Sequence, residues 1–376
     1  MHLNHGSYGG CPTAVLSFQQ ELQQRVEENP FQFFELDWPN LLGETKDVIG
    51  ELVGTSANNL AVVRNATTAA STILRSLPWR EGDEIVFTDH TYSSCRNALH
   101  FIAENHNVKL IRAQVPFPIQ SPDLVVDTIV QKLSPRTRLV FLDHITSATG
   151  LILPVEALID ELNKRNIQSF IDGAHAPGMV PLNIDALSPT YYTGNFHKWL
   201  CTPKGAAFLY VSPEQQSTIR PLTISRTTKE ANPPRFDVEF GWQGTDDTTA
   251  ILSVPRAIEV LSSLRPGGLD AHMKYNHDLL LKARNLLLQT LGTPAPCPDS
   301  MLGSMATLPL ASEKIDDRSS EVFPKKLYQE WGIIIACPGI SDATIPCFRI
   351  SAQAYNSIEQ YEYLAEILKK PGIREL

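Results

Sequence analysis

The sequence predicts an α/β protein whose mostly parallel sheet lies between helices, followed by a smaller α+β unit. Two observations carry this. Short apolar runs rich in β-branched and aromatic residues alternate with amphipathic segments through the middle of the chain, as in βαβ units. From about Thr248 that alternation stops and long helical periods take over. A length of 376 residues suits one large and one small domain.

The strand candidates, in order, are "EIVFTD" (84–89), "VKLIRAQV" (108–115), "TRLVFLDHI" (137–145), "QSFIDG" (168–173) and "AAFLYVS" (206–212). "SSCRNALHFIAENH" follows the first run as a helix, and "SPDLVVDTIVQKL" opens with Ser-Pro-Asp, a helix-start signal. "LPVEALIDELNKRN" carries Leu158, Ile159 and Leu162 at helical spacing. "RTTKEANPPRFDVEFGWQGTDD" has turn residues and no clean period, and reads as a long loop. "TTAILSVPRAIEVLSSL" reads as one helix, and "LDAHMKYNHDLLLKARNLLLQTLG" as a long helix that Gly292 caps. "SMATLPL", a helix near "SSEVFPKKLYQEWG", and "PCFRISAQAYN" complete the smaller unit.

The chain is 43% hydrophobic and 19% charged, ordinary for a soluble globular protein. Its net charge of -9, with no Lys/Arg cluster, argues against nucleic-acid binding. The six cysteines are scattered with no CxxC, neither a zinc pattern nor a disulfide framework, so reduced thiols in a cytoplasmic protein are expected. "MHLNHGSYGG" lacks the layout of a signal peptide, and no apolar run is long enough to span a bilayer.

In open α/β sheets, ligands bind beyond the carboxyl ends of the strands. Asp89, His90 and Tyr92 follow the first run; Asp143, His144, Thr146 and Ser147 follow the third; Asp172 and His175 follow the fourth. His197 and Lys198 follow "YYTGNF", with Phe196 and Trp199 flanking them in "TGNFHKWLCTPKG". A lysine in so apolar a setting has its pKa lowered and can act as a nucleophile. A metal site is disfavoured, since no HExxH or clustered carboxylate motif appears. A serine hydrolase would need a GxSxG elbow, which is missing. A cofactor with an aldehyde, a cationic ring nitrogen and a phosphate fits better. Lys198 would form a Schiff base with it, Asp172 would pair with the ring nitrogen, and Tyr92 or His90 would stack on the ring. "RNATTAAST", with Asn65 as N-cap, would receive the phosphate at a helix N-terminus.

These stretches also resemble a known family. "NAT", "DHTYSS", "DHITSATG", "FIDGAHAPG", "TGNFHKWLCTPKGAAFLYV", "GTDD" and "FRISAQAYN", in this order, are similar to the class V aminotransferases of pyridoxal phosphate fold-type I, most of all to their isopenicillin N epimerase-like branch, relatives of the cysteine desulfurases. The resemblance runs from "LNHGSYG" to "RISAQAYN". It implies a large domain with a mostly parallel seven-stranded-type sheet over 14–262, a small C-terminal domain over 263–376, and an N-terminal segment, 1–13, packed on the small domain and the active site. It implies pyridoxal 5'-phosphate on Lys198, with Asp172 at the pyridinium nitrogen and Tyr92 stacking. Asn65, Ala66, Thr67 and His197 would hold the phosphate, and His175 and Ser147 would lie near the ring. Thr245 would reach the phosphate of a partner subunit, implying a homodimer with shared sites. Arg349 would bind the substrate carboxylate, for which its bidentate fork is suited. Asn4 and His5 would lie beside the substrate.

The shared first step is loss of the Cα proton of an α-amino acid, with freed Lys198 as base. Reprotonation on the other face gives epimerisation, loss of a β-substituent gives C–S cleavage, and reprotonation at the cofactor gives transamination. The resemblance names the epimerase first, and a cysteine-type lyase or an aminotransferase is the alternative. Cys337 and Cys347 lie upstream of Arg349 without the "HHC"-like context of a desulfurase, which disfavours persulfide transfer. A non-catalytic scaffold is disfavoured because Lys198, Asp172, Arg349 and the phosphate loop are all present.

Overall fold

The structure is a computed structural model that describes residues 1–229, 232–310, 319–339 and 346–373. Among the described residues, nine strands form two sheets. They are β1 (Leu60–Val63), β2 (Glu84–Thr88), β3 (Lys109–Ala113), β4 (Thr137–Asp143), β5 (Gln168–Asp172), β6 (Tyr191–Asn195), β7 (Ala207–Val211), β8 (Met305–Pro309) and β9 (Cys347–Ser351). The large sheet has the order β1-β7-β6-β5-β4-β2-β3. It is parallel except where β7 runs antiparallel to β1 and β6. This is the mostly parallel seven-stranded sheet that the family resemblance implies.

Helices cover both faces of that sheet, so its strands are apolar on both sides. Val86, Val140, Leu142 and Ile171 face one layer, with Leu158, Ile159 and Leu162 of the helix Val155–Lys164. Ile85, Leu139, Phe141 and Phe170 face the other, with Ile73 of the helix Ala66–Ser76 and Leu99 and Ile102 of the helix Ser93–His106. Phe141 and Phe170 stack with centroids 4.7 Å apart. The second sheet pairs β8 and β9 antiparallel, beside the helices Gly268–Leu291 and Ile358–Leu368. The first residues of the chain join it: Leu3 N donates to Ile334 O at 2.9 Å, and Ser351 N donates to Leu3 O at 2.8 Å.

Two elements differ from the sequence reading. The stretch read as a long loop contains the helix Arg235–Gly241. Phe236 and Phe240, one turn apart, meet with ring centroids 4.8 Å apart at a 48° tilt and are buried, which outweighs the turn residues around them. The helix expected over "TTAILSVPRAIEVLSSL" is broken into Thr249–Leu252 and Val254–Ser263, because Pro255 cannot donate a backbone hydrogen bond. Gly292 does cap the helix Gly268–Leu291 in left-handed conformation, φ 68°.

Candidate active site

The register of the sheet assembles the site. Asp143 is the Cα partner of Asp172, and Asp172 of Thr193, so the carboxyl ends of β4, β5 and β6 finish in one row. The segments that leave these ends line a pocket of about 190 Å³. Of the residues expected at the cofactor, Asn65, Ala66, Thr67, Tyr92, Ser147, Asp172, His175, His197 and Lys198 line it. Thr245 does not; it lines a separate cavity with Arg64, Thr68 and Asp246.

The amine of Lys198 lies deep, and burial lowers its pKa to about 8. Its Nζ is 3.0 Å from His175 Nε2. The indole N–H of Trp199 donates to His175 Nδ1 at 3.2 Å. Burial, then the charge of Lys198, push His175 well below the ordinary histidine value. Asp172 is buried, and its Oδ1 accepts from Ala174 N at 2.9 Å while Oδ2 accepts from the Cys95 thiol at 3.4 Å. Burial raises the carboxyl of Asp172; burial and the charge of Asp172 raise Asp143 well above its ordinary value.

The helix Ala66–Ser76 starts at the pocket. Asn65 caps it, its Oδ1 accepting from Thr68 N at 2.8 Å. Ala66 N–H donates to Asn195 Oδ1 at 2.9 Å, so this expected phosphate donor is already engaged. His197 keeps a buried Nδ1 with no partner. A helix N-terminus, threonine and asparagine side chains and an unpaired histidine nitrogen are a fitting set for a phosphate. With Asp172 for a ring nitrogen and Lys198 for an aldehyde, the donor set fits pyridoxal phosphate.

Arg349, on β9, is buried, and burial lowers its pKa to about 10. Its Nη1 donates to Ser147 O, and its Nη2 to Asn4 Oδ1 at 3.2 Å and Ser7 Oγ at 3.0 Å. Its Nε has no partner. Asn4 therefore acts on Arg349. His5 is buried, with Nδ1 2.9 Å from Tyr355 Oη and Nε2 2.9 Å from Lys198 O, so it braces the lysine backbone and does not line the pocket.

Other strand-end groups are structural. His90 bonds Thr149 Oγ1 at 2.8 Å and Val115 O at 2.9 Å, which takes it out of contention as a stacking ring. His144 bonds Tyr192 Oη at 2.6 Å, and Asp89 Oδ1 accepts from Val115 N at 2.9 Å. Residues unassigned from sequence also meet the site: Ser7, Cys95, Asn195 and Trp199. Trp199 carried a signal, its place beside Lys198; the contact of Cys95 with Asp172 spans 77 residues and left none.

The aminotransferase class-V family model matches residues 31–363. The isopenicillin N epimerase of Streptomyces clavuligerus is 29% identical over 98% of this chain and 94% of its own. A probable chloroplastic L-cysteine desulfhydrase of Arabidopsis thaliana is 28% identical over 97% of this chain and 82% of its own. Among solved structures, the cystine C–S lyase C-DES, in complex with cysteine persulfide, superposes with TM-score 0.82 at 21% identity, over 98% of this chain and 96% of that one. No helix of the described residues is long and apolar enough to cross a membrane. The chain belongs to the aminotransferase class-V family and is an enzyme that uses pyridoxal 5'-phosphate.

Proposed function

We propose that the protein cleaves the Cβ–S bond of a cysteine-type α-amino acid by β-elimination. The observation that carries this is a single base pair, Lys198 against His175, set near a buried guanidinium. Bound pyridoxal phosphate supplies an electron sink for the charge left at the substrate Cα. Arg349 receives the substrate carboxylate, offering its unpaired Nε in a site where burial makes an anion welcome. Asp172 holds a ring N–H, and Asn65, Thr67 and His197 hold the phosphate. Tyr92, Ser147 and His175, which line the same pocket, would hold the ring, Tyr92 by stacking.

Lys198 Nζ then takes the Cα proton as a neutral amine. The Cα–H electrons form the new C–C double bond while the Cβ–S bond breaks. The thiolate leaves and takes a proton, and water hydrolyses the released enamine to a keto acid and ammonia. This path needs one base. Persulfide transfer would need an activated thiolate as well. All six cysteines are described, none lines the pocket, and burial raises every thiol, Cys337 to about 12 and Cys347 to about 11.

The second reading is epimerisation, supported by 29% identity to an isopenicillin N epimerase. It requires a proton donor on the face away from Lys198. Incubating candidate amino acids in D2O separates the two. Keto acid and sulfide or thiol release is expected; Cα exchange with inversion and no keto acid would remove the lyase in favour of the epimerase. We further propose a cytoplasmic homodimer in which Thr245 serves the partner's phosphate site. Residues 14–262 would form the cofactor domain, 263–376 the small domain, and 1–13 a segment that packs on the small domain and the active site.

A further inference from the structure

We propose that Trp199 is a positioning residue: its indole N–H fixes the tautomer of His175 so that His175 holds Lys198 as a neutral amine. The proposal rests on the reading of Lys198 as the base. It follows from a proton count. An indole N–H can only donate. Trp199 Nε1 sits 3.2 Å from His175 Nδ1, so Nδ1 must be bare to accept. A neutral imidazole carries one proton, which is then on Nε2. That Nε2–H points at Lys198 Nζ, 3.0 Å away, and needs a lone pair there. An ammonium has none. A charged lysine would require His175 to accept on both nitrogens, an imidazolate, and a protonated His175 would turn its Nδ1–H against the indole N–H.

The surroundings keep this arrangement in place. Trp199 and His175 are both buried, 0% and 2% exposed. The two backbones approach closely: a Cβ on Gly178, φ 81°, would lie 2.7 Å from Trp199 C. The loop after β5 thus packs directly on the segment that carries Lys198. The other charged or titratable groups facing Lys198 are Asp172 on β5, Asp143 on β4, Arg349 on β9 and Cys95 on its helix, with His197 beside His175. None of them contacts the indole N–H, so its removal leaves their charges as they are. Burial already lowers the lysine to about 8, and the tautomer adds a donor that an ammonium cannot satisfy. Without the indole N–H, His175 can move its proton to Nδ1 and accept from the lysine ammonium through Nε2.

The test measures the protonation midpoint of Lys198 in the full chain after hydroxylamine removes the cofactor. Competitive acylation across pH, read by mass spectrometry of the Lys198 peptide, gives that midpoint without any turnover. Two variants are compared: Trp199→Phe, and Trp199→3-benzothienylalanine introduced by codon suppression, which keeps the bicyclic shape and replaces N–H by sulfur. The midpoint should rise by about one unit or more, and labelling at neutral pH should fall about tenfold, one unit being a factor of ten in the equilibrium. The acid limb of the kcat/KM profile should move the same way. Should Trp199→Phe fail to fold, the isosteric variant decides alone. An unchanged midpoint in the benzothienyl variant overturns the proposal and leaves Trp199 a packing residue. A shifted midpoint in a protein that cleaves no amino acid would uphold the tautomer lock and sink the proposed function instead.

Discussion

Among the described residues, Arg349 is a buried cation held by neutral groups: Ser147 O and Oγ, Asn4 Oδ1 and Ser7 Oγ. Desolvating a guanidinium is expensive unless an anion accompanies it, and no carboxylate among the described residues pairs with it. The side chain therefore stores a demand for a carboxylate. A non-reactive carboxylate such as propionate should raise the Tm of the protein, since a ligand that binds only the folded state stabilises it by about 2.7 kcal/mol at a hundred times its Kd. Arg349→Gln should abolish that increment. Chloride at equal ionic strength producing the same rise would show a general salt effect and defeat the prediction. Asn4→Ala should weaken the response without abolishing it, because Asn4 orients the guanidinium and does not replace it.

At the scale of elements, the helix Ala66–Ser76 carries two duties at one end. Asn65 Oδ1 caps the helix through Thr68 N, and the same turn faces the pocket. Asn65→Ala should lose about 1 kcal/mol of stability through the missing cap. Asn65→Asp keeps a good cap but sets a negative charge against a phosphate, so its thermal stability should hold while cofactor affinity falls. Melting curves with a cofactor titration check both; equal stability of the two variants would remove the capping argument. This helix was legible in the sequence because capping is local, as were β2, β3, β4, β5 and β7, which are short runs rich in β-branched and aromatic residues. β6 was read only as a segment before His197, since "YYTGN" is not an apolar run. Its Gly194 is needed for close approach, where a Cβ would meet Phe208 and Pro177 at 2.6 Å. β1 has only four residues and pairs at the sheet edge with β7, a partner more than 140 positions away, so nothing local announced it. The site divides in the same way. Lys198, Asp172 and Tyr92 stood at strand ends, whereas the roles of Asn4 and His5 depend on contacts with Arg349 and Tyr355 at the far end of the chain.

Across the whole molecule, the folding pattern depends on histidines that stay neutral. His5 ties the N-terminal segment to Lys198 O and Tyr355, and His144 ties β4 to Tyr192. Burial lowers both from 6.5 to about 4, and lowers His90, between Thr149 and Val115 O, as well. A histidine whose folded pKa lies below its unfolded one binds fewer protons in the native state between those values. Stability from such a group is intact above 6.5 and is lost as pH falls toward 4. Asp143 acts in the opposite sense, because its raised carboxyl binds a proton in the folded state that the unfolded chain releases. His2, His175, His197 and His272 are lowered by burial too, and Asp172 is raised alongside Asp143, so the lowered histidines outnumber the raised carboxyls, unfolding takes up protons on balance, and stability slopes downward as pH falls through this window. Urea unfolding at steps between pH 6.5 and 4.5 should show that slope. His144→Gln, which keeps an uncharged polar group beside Tyr192, should lower it by about one proton, or 1.4 kcal/mol per pH unit. A flat stability curve across this window would mean that these histidines are solvated in the folded protein, and the tie between the N-terminal segment and the lysine loop would have to be redrawn.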